Sequence, residues 1–196
     1  MIIILCGKSG CGKDALMKKM VSEGCRPLIS STTRPIRSGE RDGVEYNFVT
    51  REKFEKMIEN DELIEYRKYD TLLYGVPDVW YYGSEKRELD KCMVYVVILD
   101  IEGAKSFIEY YGKKYCFVTY INTNDEIRES RARKRGSFSE YEWARRLKDD
   151  NNVFSDDAIR QIADVSISNN GTLDECLDSL REQFGAYCFR HHDCFS

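Results

Sequence analysis

Residues 7 to 14 read Gly-Lys-Ser-Gly-Cys-Gly-Lys-Asp, which sets three glycines and a lysine at the spacing of a phosphate-binding loop, Gly-x-x-x-x-Gly-Lys-Ser/Thr, with one altered letter. Glycines let the backbone turn inward, so that successive N–H groups and the first turn of the next helix face an anion. Gly7, Ser9, Gly10, Cys11, Gly12, Lys13, Asp14 and Ala15 are therefore the candidate nucleotide-binding residues, with the Lys13 ammonium against the β/γ phosphates. The altered letter is Asp14, where Ser or Thr would offer a hydroxyl to magnesium. Two readings stay open. Its carboxylate is a hard ligand that could hold the metal directly or through water, and an acid in a first helical turn is also favoured by the macrodipole alone.

A second set could bind another phosphate. Arg34 and Arg37 stand three apart near Ser30 and the hydroxyl of Tyr46, a combination that can form charge-assisted, bidentate bonds to a monophosphate, and Tyr74 could add a third donor. Each arginine taken singly could equally be a solvated charge, and each tyrosine a core aromatic. Glu65 can accept from paired N–H donors such as guanine N1 and N2, which adenine lacks. Asp100 ends the apolar run Val94 to Leu99, at the carboxyl edge of a strand, where an acid can hold magnesium through water. Arg128, Arg131 and Arg135 recur at intervals of three and four, and Arg146 returns from the next helical segment; such a helix reads either as a lid that brings charge to a phosphoryl group or as a solvated basic face.

The elements that must position these groups alternate. Strands are expected over Ile2–Cys6, Pro27–Ser30, Val94–Asp100, Cys116–Ile121 and Val165–Ser168. Helices are expected over Asp14–Glu23, Arg51–Asn60, Ile101–Tyr111, Asn124–Lys134, Glu140–Phe154 and Leu173–Phe184, the last capped at Gly171-Thr172. This order predicts an α/β fold, a parallel sheet flanked by helices. The core would comprise residues 1–30, 86–130 and 151–185; residues 31–85, too long for a loop, would form an insertion with its own short strands and a helix; 131–150 would be the lid and 186–196 a tail.

Composition narrows the class. A chain of 196 residues with 42% hydrophobic content suffices for one such domain with small insertions. A net charge of −4 argues against nucleic-acid binding, while seven basic residues crowded between positions 128 and 146 suit a small anionic ligand. No apolar run approaches a membrane span and no export signal is evident, so a cytoplasmic, non-membrane protein is expected. Eight cysteines are scattered without a disulfide framework and read as free thiols; the tail Cys188 to Cys194, with His191 and His192, matches no common zinc spacing and is expected to fray.

The run Ser30-Ser31-Thr32-Thr33-Arg34-Pro35-Ile36-Arg37-Ser38-Gly39-Glu40-Arg41-Asp42-Gly43-Val44-Glu45-Tyr46-Asn47-Phe48-Val49 closely resembles the nucleoside-monophosphate-binding segment of guanylate kinases. Glu62 to Tyr66, Tyr74-Gly75, Ile98 to Ile101, and Arg131, Arg135 and Arg146 fit that family in the same order, over about residues 2 to 182. The resemblance implies transfer of the γ-phosphoryl group of ATP, with magnesium, to GMP and dGMP, by a monomer or homodimer. It implies Arg34, Arg37, Tyr46 and Tyr74 on the acceptor phosphate, Ser30 and Glu65 at its base, Glu40 and Asp100 also at the substrate, and Lys13, Arg131, Arg135 and Arg146 as the catalytic charges; Asp14 and Asp100 remain the candidate metal ligands on their own chemistry. Besides Asp14, two departures stand out: Glu102-Gly103 shortens the turn after Asp100, and Val76 replaces the Ser that follows the Tyr-Gly pair, which would cost one hydrogen bond, ~1 kcal/mol. A kinase for another monophosphate, or a protein-binding module of the same shape, would be the alternatives.

Overall fold

The computed structural model describes residues 1–37, 39–73, 76–134 and 138–190. It divides into two compact units, Met1–Pro27 with Lys91–Ser196, and Leu28–Asp90.

The first unit is an α/β layer structure. Strand β1 (Ile2–Cys6) is buried along its whole length, as its unbroken apolar sequence requires of a strand covered on both faces. It lies at the centre of a five-stranded sheet ordered β2 (Arg26–Pro27), β7 (Tyr95–Ile98), β1, β8 (Cys116–Asn122), β9 (Val165–Ser168), and each neighbouring pair runs parallel. Helix α1 (Lys13–Ser22) leaves β1 through the glycine loop. Its N-cap is Gly12 at φ +103°, a left-handed conformation that a side chain would strain, and a Cβ there would also collide with Asn169. Helix α3 (Ile101–Tyr111) is capped by Asp100, whose Oδ1 accepts from the Gly103 amide at 2.7 Å. A 3₁₀ turn (Lys113–Tyr115) leads into β8.

Helices α4 (Asp125–Arg133), α5 (Glu140–Val153) and α6 (Asp156–Ile162) follow β8, and α7 (Leu173–Arg190) closes the unit. Thr172 and Glu175 cap α7 reciprocally: the Glu175 amide donates to Thr172 Oγ1 (3.2 Å) and the Thr172 amide to Glu175 Oε2 (2.8 Å). The core gathers Ile3, Leu5, Leu16, Met20, Val96, Phe117, Ile121, Ile167, Leu177 and Leu180.

The second unit carries a four-stranded sheet ordered β4 (Asn47–Phe48), β3 (Ser31–Thr32), β6 (Val76–Glu85), β5 (Leu63–Leu73), with helix α2 (Arg51–Glu59) capped by Thr50. Phe54, Met57, Leu63 and Tyr81 form its own small core.

Three expectations need correction. Of the second strand, expected over Pro27–Ser30, only Pro27 is in a strand, at the end of β2; residues 28–30 are irregular, and β3 begins at Ser31 in the other sheet. The insertion's strands are short only in part: β3 and β4 are two residues each, but β5 and β6 pair as a long antiparallel hairpin from Leu63↔Glu85 to Leu73↔Val76. The start of the tail, placed at 186 with fraying expected from Cys188, is helical as far as it is described: α7 continues to Arg190 and Tyr187 is buried, its ring 4.9 Å from that of Phe117 and its hydroxyl donating to the Lys113 and Cys116 carbonyls. His191, His192 and Cys194 lie outside the described residues. Among the described residues all seven cysteines are free thiols, and no helix is long and apolar enough to cross a membrane.

Candidate active site

In the first unit the glycine loop wraps the end of β1. The Lys13 ammonium folds back over the loop, donating to the Gly7 carbonyl at 2.5 Å and the Lys8 carbonyl at 3.2 Å. This holds the charge at the mouth of the cradle rather than in solvent. The Cys11 amide closes a turn onto the Lys8 carbonyl (3.2 Å), and the carbonyl of Cys11 accepts from Asn169 Nδ2 (2.7 Å) and Arg131 Nη1 (3.3 Å). Arg131 also donates to the Asn169 carbonyl (3.0 Å), so it lies against the loop. Asp14 and Ala15 are exposed in the first turn of α1. Beside them Gly12, Ala15, Arg131, Lys134, Asn169 and Leu173 line a cavity of about 330 Å³, large enough for a nucleoside.

Cys6 lies behind the loop. Burial pushes its thiol up to about 12, against the pull of the Lys13 ammonium, so it stays neutral and unreactive. Lys13, Asp100 and Cys11 all act on it electrostatically, which gathers the loop lysine and the Asp100 carboxylate around one buried sulfur. Asp100 serves as the α3 cap, and among the described residues no cluster of three or more metal-ligating side chains exists. That donor set fits an ion held mainly by phosphate oxygens and water, with a carboxylate at its edge.

Arg146 is half-buried on α5, and Arg135 lies outside the described residues. Arg128, whose spacing suggested the same exposed face as Arg131, is instead 1% exposed.

In the second unit the hydroxyl run of residues 30 to 33 fastens one segment to the hairpin. Ser30 and Ser84 hydroxyls are 3.0 Å apart, Ser31 donates to Glu85 Oε1 (2.7 Å), Thr32 donates to the Tyr81 carbonyl (2.8 Å), and the Tyr81 amide donates to Thr33 Oγ1 (2.9 Å). Each of the four consecutive polar side chains thereby finds a partner on β6. The next residue, Arg34, is 3% exposed. Its Nη2 reaches both oxygens of Glu40 (2.8 and 3.0 Å) and its Nη1 donates to the Pro35 carbonyl, while its guanidinium stands 5.6 Å from the ring centres of both Tyr46 and Phe48. The Tyr46 and Tyr82 rings meet edge to face at 5.6 Å. Burial would raise the Glu40 pKa, but the bonds from Arg34 and from the Arg37 amide (2.8 Å) outweigh it and hold the carboxyl below its usual range. Arg37 is exposed beside this pair.

Glu65 is 8% exposed on β5, directly opposite Ser84, which donates to its Oε1 at 2.8 Å; the chain Ser30–Ser84–Glu65 is thus continuous. Tyr74 lies outside the described residues. Tyr82 and Ser84 belong to a second Tyr-Gly pair, Tyr82-Gly83-Ser84, which carries the hydroxyl that Val76 lacks after the first. Its signal was present in the sequence as a repeated Tyr-Gly, but only the hairpin register tells the two apart.

A glycine loop between a buried parallel strand and a helix, with a lysine folded over it, defines an α/β protein of the phosphate-loop class. A family model described as guanylate kinase matches residues 1–187. A rice (Oryza sativa subsp. japonica) protein named guanylate kinase 2, chloroplastic/mitochondrial, is 36% identical over 132 residues, 64% of this chain, which spans 44% of the rice protein's length. The guanylate kinase of Mycoplasmoides gallisepticum is 30% identical over 179 residues, 84% of this chain and 89% of its own. The crystal structure of guanylate kinase from Anaplasma phagocytophilum shares the fold with a TM-score of 0.64, at 23% identity and covering 95% of this chain and 85% of its own. The chain belongs to the guanylate kinase family.

Proposed function

We propose that the chain transfers the γ-phosphoryl group of ATP to GMP or dGMP, giving ADP and the diphosphate. The observation that carries the acceptor assignment is the second unit's pairing of a cation with a carboxylate: the Arg34–Glu40 fork beside Tyr46 and Tyr82, and the Glu65–Ser84–Ser30 chain on the same hairpin.

In this reading residues 31–85 form the monophosphate lobe and 131–150 a lid. Arg34, Arg37, Tyr46 and Tyr82, with Tyr74, bind the acceptor phosphate through charge-assisted bonds. Glu40 holds Arg34 in place. Glu65 accepts from guanine N1–H and N2–H, with Ser84 and Ser30 orienting its carboxylate; adenine would leave that carboxylate unpaired, which costs affinity. In the first unit the loop amides from Gly7 to Ala15 and the Lys13 ammonium bind the donor phosphates, and the cavity beside Arg131 and Asn169 seats the donor nucleoside.

Asp14 and Asp100 would hold a magnesium ion that arrives with the triphosphate, and the ion would supply positive charge against that of the transferred group. Lys13, Arg131, Arg135 and Arg146 neutralise the charge on the transferred group, and a closed lid keeps water from accepting it. No covalent intermediate on the protein is needed, because transfer needs only the acceptor oxygen and the γ-phosphorus held in line. Buried free thiols fit a reducing, cytoplasmic setting. The test is ADP release from ATP with magnesium and each nucleoside monophosphate in turn: GMP and dGMP should give the highest kcat/KM, and a preference for AMP, CMP or UMP would contradict the assignment of Glu65.

A further inference from the structure

We propose that Arg128 and Asp150 form a buried clamp that positions the phosphate loop through Ser9 and sets the register of α5, and hence of Arg146, against it. The inference rests on the donor half of the reading above.

The contacts converge on one loop residue. Asp150 Oδ2 accepts from the Ser9 amide at 2.8 Å, and its Oδ1 lies 3.2 Å from the Ser9 hydroxyl. Arg128 Nε donates to the Ser9 carbonyl at 2.7 Å, while its Nη2 binds Asp150 Oδ2 at 2.6 Å and its Nη1 binds Asp125 Oδ1 at 2.5 Å. All three polar groups of Ser9 are thus held by a single ion pair whose members are 1% and 8% exposed. The guanidinium also packs 5.7 Å from the ring centre of Trp143, itself buried on α5. The neighbouring loop residues follow. Gly10, at φ +80°, abuts the Arg128 backbone so closely that a Cβ would stand 2.8 Å from the Arg128 carbonyl oxygen, and Lys8 Nζ donates to Asn151 Oδ1 at 2.8 Å.

Stability does not explain this arrangement. A buried ion pair is often matched or bettered by apolar side chains of the same volume, because desolvation consumes the Coulombic gain. What apolar side chains cannot do is fix the direction of a peptide. The pair orients both the N–H and the C=O of Ser9, in a loop whose work is to aim its following amides at an anion. A carboxylate this close to an anion cradle would repel a triphosphate, and Arg128 cancels that charge. Asp150 also stands four residues after Arg146 on α5, so the two share one helical face, and fixing Asp150 on the loop fixes where Arg146 emerges. Arg128 and Asp150 are positioning residues; neither touches substrate.

The test uses the full chain with three variants, Asp150→Asn, Arg128→Met and the apolar double substitution Arg128→Met with Asp150→Leu. Thermal unfolding, calorimetric binding of a non-hydrolysable ATP analogue, calorimetric binding of GMP, and kcat are measured on each. Asp150→Asn keeps the shape and one acceptor, so it folds, and it should weaken analogue binding at least tenfold and lower kcat while GMP affinity stays within twofold. The double variant should recover thermal stability relative to Arg128→Met but not analogue affinity. The proposal is overturned if the double variant binds the analogue as the unmodified chain does, or if analogue and GMP affinities fall together in step with unfolding. Loss of analogue affinity in the variants of a chain that makes no GDP would sustain the clamp and dismiss only the acceptor assignment.

Discussion

Replacing Glu65 by Gln isolates the charge proposed to select the acceptor base. In the structure one oxygen of Glu65 accepts from Ser84 at 2.8 Å. Each carboxylate oxygen carries two lone pairs, so the group has acceptor capacity for the two N–H groups of guanine beside that bond. Glutamine retains the Ser84 bond through its carbonyl but turns an NH₂ towards one guanine donor. One charge-assisted bond falls to neutral strength, losing ~1 kcal/mol, and a donor left facing a donor costs a further ~1–3 kcal/mol. The total of ~2–4 kcal/mol corresponds to a loss of about 30- to 1,000-fold in kcat/KM for GMP. Steady-state kinetics with GMP varied at saturating ATP, and the reverse, would measure it. KM for ATP should stay within twofold, and discrimination between GMP and AMP should shrink by the same factor. A loss under threefold, or an equal loss on the ATP axis, would refute the assignment of Glu65 to the base.

Three further outcomes follow from particular contacts. Lys13→Met removes the ammonium folded over the Gly7 and Lys8 carbonyls and should lower kcat by ~10²–10³-fold with thermal stability nearly unchanged, since the lost term acts on charge developing in the transition state; an unaffected kcat would contradict it. Gly83→Ala should lower stability by ~1–3 kcal/mol in denaturant unfolding, because the added Cβ would stand 2.9 Å from both the Glu65 carbonyl oxygen and the Phe54 ring; an unchanged midpoint would show that the hairpin yields there. Burial raises Cys6 and Cys116 from 9.0 to about 12, Cys176 from 9.0 to about 11 and Tyr120 from 10.0 to about 12. The folded chain then holds more protons than the unfolded one across this range, so the contribution is complete below pH 9 and is lost as pH rises towards 12; unfolding free energy should fall between pH 9 and 11, and a flat profile would contradict it.

What the sequence revealed depended on how local the cause was. The glycine loop is eight consecutive residues whose backbone freedom alone dictates the turn, and β1 and β8 carry apolar runs that only a doubly covered parallel strand explains. The Thr172 cap was equally local. The hairpin was hidden because β5 mixes Glu65, Arg67, Lys68 and Asp70 with aromatics and presents no two-residue Asn-Gly or Asp-Gly turn. The choice between Tyr74-Gly75 and Tyr82-Gly83 rests on Ser84 lying opposite Glu65, nineteen residues away, which is a matter of strand register. Helical spacing correctly aligned Arg128 with Arg131, yet it carries no burial information, and the partner that draws Arg128 inside is twenty-two residues further on. The burial of Tyr187 is illegible locally for the same reason, since its anchors on Phe117, Lys113 and Cys116 are all remote in sequence.

The most direct measurement follows the phosphoryl group itself. Purified protein incubated with ATP labelled in the γ-phosphate, magnesium and GMP should deliver the label into the β-phosphate of GDP, one GDP for each ADP, and Lys13→Met should suppress that product. Label released as inorganic phosphate, or retained in ATP while the unmodified chain demonstrably binds both nucleotides, would contradict the account.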